Sequence, residues 1–219
     1  MIFAKIDFIN LLPFYIYIKK NIPSSQIKAI INYKKSYPSQ INKQFKKNQI
    51  DAAFISSIAS RNKNALDLGI VAKKEVDSVL LIPGAYKKDF QSDTSNALAK
   101  VLNLEGEIII GDRALKYFHT HKEDEFIDLA KAWNDKYNLP FVFARLCFNS
   151  NEKYLTKITK NFNKKHIKIP RYILNKYSKR SGISNKQILN YLEKIDYSIS
   201  IKEKRALKLF LKLSKEKGL

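Results

Sequence analysis

Asn10, Ser56, Ser57, Ser78, Thr94, Ser95 and Asp112 are the polar residues that the sequence sets where a small ligand could be handled. Each sits in or at the end of an apolar run, or in the turn beyond it, and open α/β sheets bind ligands outside the carboxyl ends of their strands. All but Asp112 are neutral hydrogen-bonding groups, a set suited to gripping a small anion between apolar walls. Thr94 and Ser95 open a helical stretch behind Ser92-Asp93, where free backbone N–H groups and the helix dipole favour a carboxylate or phosphate. Ser78 lies on an apolar strand, where an unsatisfied hydroxyl costs about 1–3 kcal/mol, so a partner for it is expected. Taken singly, each residue also has a structural explanation. Asn10 can satisfy a turn before Pro13, Ser56 and Ser57 can satisfy strand-end backbone, and Thr94, Ser95 and Asp112 can cap helices.

Other chemistries find little support. Cys147 is the only cysteine, which excludes an intramolecular disulfide and a cysteine-based metal cluster. His119, His121 and His166 are the only histidines, and the first two lie on different faces of a helix, so no metal site is expected. The chain carries no nucleophile elbow, no dinucleotide fingerprint and no phosphate loop. Glu123-Asp124-Glu125 reads as a solvated helix start, Trp133 as core, and Cys147 as packing.

The charge is high, at +21, yet the only arginines are Arg61, Arg113, Arg145, Arg171, Arg180 and Arg205. Phosphate readers enlist the bidentate arginine fork, so the lysines read as a solvated surface rather than a nucleic-acid footprint. Ser181-Gly182-Ile183-Ser184 between two helical runs is a short, non-specific echo of a helix-turn-helix. Phe8 to Ile18 is apolar, but Asp7, Asn10 and Pro13 interrupt it, and no small-residue cleavage site follows. It is also too short to span a bilayer, so a cytoplasmic protein without membrane contact is expected.

The elements that must position these residues follow from periodicity. Strands are expected over Ile2–Phe8, Ile27–Tyr33, Asp51–Ile55 (as a buried parallel strand), Leu68–Ala72, Val76–Ile82, Glu107–Ile110 and Leu139–Leu146. Helices are expected from Pro38 to about Lys47, from the Ser92 cluster to Leu104, after Gly111-Asp112, and over Phe126–Trp133. Beyond about Tyr154 the pattern is helical and lysine-rich, with Ile188, Leu192 and Ile195 at helical spacing. Alternating strands and helices followed by a helical tail make the chain α/β.

Several blocks fall in an order and spacing that are specific together: Asp7-Phe8-Ile9-Asn10-Leu11-Leu12-Pro13, Ile50 through Ile58, Gly69 through Leu80, Ser92-Asp93-Thr94-Ser95, Ile110 through Leu115, Asp128 through Trp133, and Leu139 through Ala144. With these the chain resembles the chorismate dehydratase family of the futalosine route to menaquinone, well over residues 3–148 and loosely in the tail. The resemblance implies a two-lobed, periplasmic-binding-protein type II-like fold. Residues 1–80 and 146–219 would form a discontinuous first lobe and 81–145 a smaller second lobe, with crossings near Val79–Pro83 and Phe141–Leu146 and the cleft between. It implies a cofactor-independent hydro-lyase that converts chorismate to 3-enolpyruvylbenzoate and water, with chorismate as the small-molecule partner. Asn10 and Ser78 would be catalytic, and Ser56, Ser57, Thr94, Ser95, Gly111 and Asp112 would bind substrate. The alternatives are a small-anion binding protein, or another enzyme of that pathway on the same scaffold, which would turn a histidine into the cleft.

Overall fold

In the computed structural model, residues 1–22, 24–26, 34–164 and 167–219 are described. The expected strand over Ile27–Tyr33 and the residue His166 lie outside them. The described residues build α/β architecture around a four-stranded and a three-stranded sheet, with a two-stranded pair beside the former.

The larger sheet runs in the order β3 (Ala52–Ser56), β8 (Phe141–Phe148), β4 (Ala65–Ala72) and β9 (Ile195–Ser198). All its pairings are antiparallel. The apolar run at Asp51–Ile55 is a buried strand, as its composition demands, antiparallel to β8 on one edge and joined to Phe3 by a single parallel bridge on the other. An unbroken apolar run reports burial on both faces and carries no information on strand direction. Gly69 sits where β4 presses on β8, since a Cβ there would come 2.4 Å from the Ala144 carbonyl oxygen. The smaller sheet runs β6 (Gly106–Ile110), β5 (Val79–Pro83) and β7 (Ile127–Asp128), also antiparallel. A short parallel pair, β1 (Lys5–Ile6) with β2 (Lys35–Ser36), adjoins β3 through a Phe3–Ala52 bridge.

The chain passes between the sheets in residues 73–78 and again in 129–140. β5 and β8, expected as crossing strands, each belong to one sheet. The tail is not wholly helical either. Ile195, assigned a helical position from its spacing, opens β9, which closes the edge of the larger sheet against β4. A three-residue apolar match cannot separate a helix end from an edge strand, and the pairing decides.

The helices are α1 (Leu12–Asn21), α2 (Pro38–Lys46), α3 (Asp93–Leu102), α4 (Gly111–Thr120) and α5 (Leu129–Tyr137), then α6 (Glu152–Thr159), α7 (Arg171–Ser181), α8 (Asn185–Glu193) and α9 (Ile201–Glu216). Their ends follow local chemistry. Ser92 caps α3 by accepting from the Ser95 N–H at 3.2 Å, and Asn103 closes it in the left-handed conformation. Ser184 and Gln187 form a reciprocal capping box on α8. Among the described residues no helix is long and apolar enough to cross a membrane.

Two aromatic clusters lock the sheets to their helices. Phe14 packs edge-on to Phe54 at 4.8 Å and to Phe162 at 5.2 Å. Trp133 of α5, Phe141 of β8 and Phe210 of α9 meet at 5.0–6.1 Å, so the final helix is wedged between elements of both halves. Trp133 is fully buried, its indole N–H donating to the Pro140 carbonyl at 3.1 Å. Cys147 is buried too, and burial pushes its thiol up to about 12, so it is packing rather than a nucleophile.

Candidate active site

A cavity opens where the two sheets face each other. Its polar lining is Asn10, Ser56, Ser78, Ser92 and Ser95, with the backbone of Gly111. Its walls are apolar, with Phe8, Ile70, Val76, Val79 and Phe143 among them. Among the described residues, no acidic, basic or histidine side chain lines it.

Each polar group is held by a particular device. Asn10 lies in the tight turn Ile9–Leu11 that leads β1 into α1, its carbonyl accepting from the Tyr197 hydroxyl at 2.5 Å. Its Oδ1 is shielded from solvent and has no hydrogen-bond partner among the described residues, a cost of about 1–3 kcal/mol unless a ligand supplies the missing donor. Ser56 ends β3, and Asn42 of α2 grips it twice. The Asn42 Nδ2 donates to Ser56 Oγ at 2.7 Å, and the Ser56 N–H donates to Asn42 Oδ1 at 3.2 Å.

Ser78 follows Asp77, a non-glycine residue in the left-handed conformation at φ 55°. That turn is pinned from the far side by Asp128, whose Oδ2 accepts from the Val76 and Asp77 N–H groups at 2.8 and 2.7 Å. The same carboxylate caps α5 through its Oδ1, bonded to the N–H groups of Ala130 and Lys131. Burial raises the pKa of Asp128, and these N–H groups oppose the rise. Ser78 Oγ in turn accepts from the Tyr191 hydroxyl at 2.8 Å, and its carbonyl accepts from the Gly111 N–H at 2.8 Å.

Two helix N-termini end at the cavity. Ser92 and Ser95 belong to the start of α3, and Gly111 begins α4. Gly111 has φ +63°, which strains any other residue, and a Cβ there would come 3.1 Å from the Phe8 ring, which would have to shift by a few tenths of an ångström. Free N–H groups and aligned dipoles at two helix starts favour negative charge in the space between them. The serines add to this. A hydroxyl has one proton and two lone pairs, and Ser56 and Ser78 each spend a lone pair on a protein donor, leaving the proton to be given to the cavity. The lining can therefore donate hydrogen bonds to an anion.

The comparisons with known proteins agree with this geometry. A family model described as menaquinone biosynthesis matches residues 80–216. The chain is 48% identical over 219 residues to a chorismate dehydratase of Campylobacter jejuni subsp. jejuni, covering 98% of each. It belongs to the chorismate dehydratase family. A crystal structure of a protein from Archaeoglobus fulgidus aligns over 99% of this chain and 97% of its own with a TM-score of 0.65. At 12% identity that likeness speaks for the fold alone. A Candida albicans gene product described as having the generic periplasmic binding protein fold aligns over 95% of the chain, but its TM-score of 0.43 is too low to weigh.

As a chorismate dehydratase family member, the chain brings Asn10, Ser56, Ser78, Ser95 and Gly111 together around one cavity. It does not bring Ser57, Thr94 or Asp112 to that lining. The fully buried Ser57 hydroxyl donates to the Val142 carbonyl, and Thr94 Oγ1 accepts from the Ile58 N–H at 3.1 Å. Asp112 pairs with Arg180 of α7, accepting at its Oδ2 from Nε at 2.9 Å and from Nη2 at 2.6 Å, while its Oδ1 is buried with no hydrogen-bond partner among the described residues. Burial raises the Asp112 carboxyl even so, with Arg180 opposing. His119 and His121 are exposed and absent from the lining, and His121 stacks on Tyr117 at 3.6 Å. Asn42, Asp128 and Tyr191 went unnoticed in the sequence. Only the unbroken apolar surroundings of Asp128 hinted that its charge needs several partners.

Proposed function

We propose that the chain dehydrates chorismate to 3-enolpyruvylbenzoate, a step of menaquinone formation by the futalosine route, in the cavity between its two sheets. The observation that carries this is the pairing of two helix N-termini with an orphaned Asn10 Oδ1 in one apolar-walled space. Chorismate has two carboxylates for the first and a ring hydroxyl for the second.

The hydrogen on the ring carbon bearing the enolpyruvyl ether is conjugated through a ring double bond to the ring carboxylate. Its loss as a proton pushes charge onto that carboxylate, and hydrogen bonds aimed there lower the barrier. The neighbouring hydroxyl then leaves with its bonding pair and takes up a proton, giving water and an aromatic ring. We assign the Ser92–Ser95 helix start and Ser56 to the carboxylates, and Asn10 with Ser78 to the ring and the departing hydroxyl. Since no ionisable side chain among the described residues lines the cavity, the proton acceptor in this reading is the enolpyruvyl carboxylate of the substrate itself. Apolar walls keep water away and hold the reacting conformer. We take residues 1–80 with 146–219, and 81–145, as two lobes that close on the substrate.

The test is incubation of the purified chain with chorismate, followed by absorbance and mass. Loss of one water to give 3-enolpyruvylbenzoate, absent with Asn10→Ala, is the expected result. Unchanged chorismate with folded protein rejects the assignment.

A further inference from the structure

Tyr191 stands outside the cavity lining, on α8 of the helical tail, yet its hydroxyl donates to the Oγ of Ser78, which does line it, at 2.8 Å. Both residues are 2% exposed, so the bond is sheltered from competing water. The direction of that bond matters. A serine hydroxyl left alone rotates, and it can accept from a substrate hydroxyl as readily as it donates to a substrate oxygen. With a phenol proton occupying one lone pair, Oγ is polarised and its own proton is directed to the side that has no protein partner, which is the cavity. Burial pushes the Tyr191 phenol far above its ordinary range, with the Ser78 and Asn10 side chains opposing only in part, so it remains a donor at any working pH. The element that carries it is firmly seated. α8 packs on the Asn10 turn, and Lys194 at its end bonds Asp77, next to Ser78, at 2.9 Å.

We propose that Tyr191 is a positioning residue that fixes Ser78 as a hydrogen-bond donor to the substrate. This rests on the reading of Ser78 as a substrate contact. The helical tail then completes the active site through one bond, 113 residues away in sequence from its partner.

The test is a cycle of Tyr191→Phe, Ser78→Ala and the double variant, with kcat and KM for chorismate and a thermal melt for each. Phenylalanine keeps the buried ring and removes only the donor. Tyr191→Phe should lower kcat about 3- to 10-fold while leaving KM within about twofold. In the double variant the loss should be no greater than in Ser78→Ala alone, because Tyr191 has nothing left to act through. Losses that multiply in the double variant would overturn the proposal. So would a slow Ser78→Ala beside an unimpaired Tyr191→Phe, an outcome that leaves the site reading intact. A fully active Ser78→Ala would sink both.

Discussion

In the proposed reaction Asn10 carries the most weight, because its Oδ1 is buried with no hydrogen-bond partner among the described residues. A group kept at that cost is ready for a ligand donor, and Asn10→Ala should lower kcat/KM about 100-fold or more, read from initial rates with chorismate. The two displaced hydroxyls should behave oppositely. Ser57 and Thr94 spend their hydrogen bonds on the Val142 carbonyl and the Ile58 N–H. Ser57→Ala and Thr94→Val should therefore cost about 1–2 kcal/mol in urea unfolding and leave kcat nearly unchanged. A lining with no ionisable side chain among the described residues also sets the expected pH profile. kcat should be flat between about pH 5 and 8. A limb in that range would reveal a protein base and remove the substrate carboxylate from its role.

At the scale of elements, the tail is tied to both sheets by charge. Arg180 of α7 bonds Asp7, beyond β1, at 3.1 Å and Asp112 of α4 at 2.6 Å. Burial works against ionised Asp7, but the Tyr177 hydrogen bond and the Lys5 and Arg180 charges outweigh it and hold its carboxyl below the usual 3.8. Arg180→Ala should cost about 1–2 kcal/mol, discounted for solvent because the guanidinium side chain is 36% exposed. The cation stabilises only ionised carboxylates, so the deficit is full near neutral pH and closes as pH falls. It begins to close with Asp112, whose carboxyl is raised, and ends with Asp7, whose carboxyl is depressed. Melting both proteins between pH 7 and 3 checks the sign. Asp128 is the other keystone, with four backbone N–H groups on one buried carboxylate. Asp128→Ala strands all four and should destabilise by about 2–4 kcal/mol in thermal or urea melts, while loosening the turn that holds Ser78.

For the whole molecule the net charge is +21, and none of the described residues lining the cavity carries a charge. Its effect belongs to encounter rather than to bond making. kcat/KM for the doubly negative substrate should fall as salt rises from about 0.01 to 0.15 M, where the screening length shortens to about 8 Å, while kcat holds. A kcat that falls in parallel would place charge inside the reaction itself.

The α/β class, the cap cluster at Ser92, the core role of Trp133 and five residues of the lining, Asn10, Ser56, Ser78, Ser95 and Gly111, are legible in the sequence. These follow from periodicity, turn chemistry and family resemblance, which are written locally along the chain. The antiparallel pairing of β3 with β8, the edge strand at Ile195 and the pairing of Asp112 with Arg180 are set by the tertiary structure alone. It alone brought Asn42 to Ser56 and Tyr191 to Ser78. The physical reason is that a hydrogen bond depends on where two atoms meet, and no local pattern encodes a meeting across more than a hundred residues.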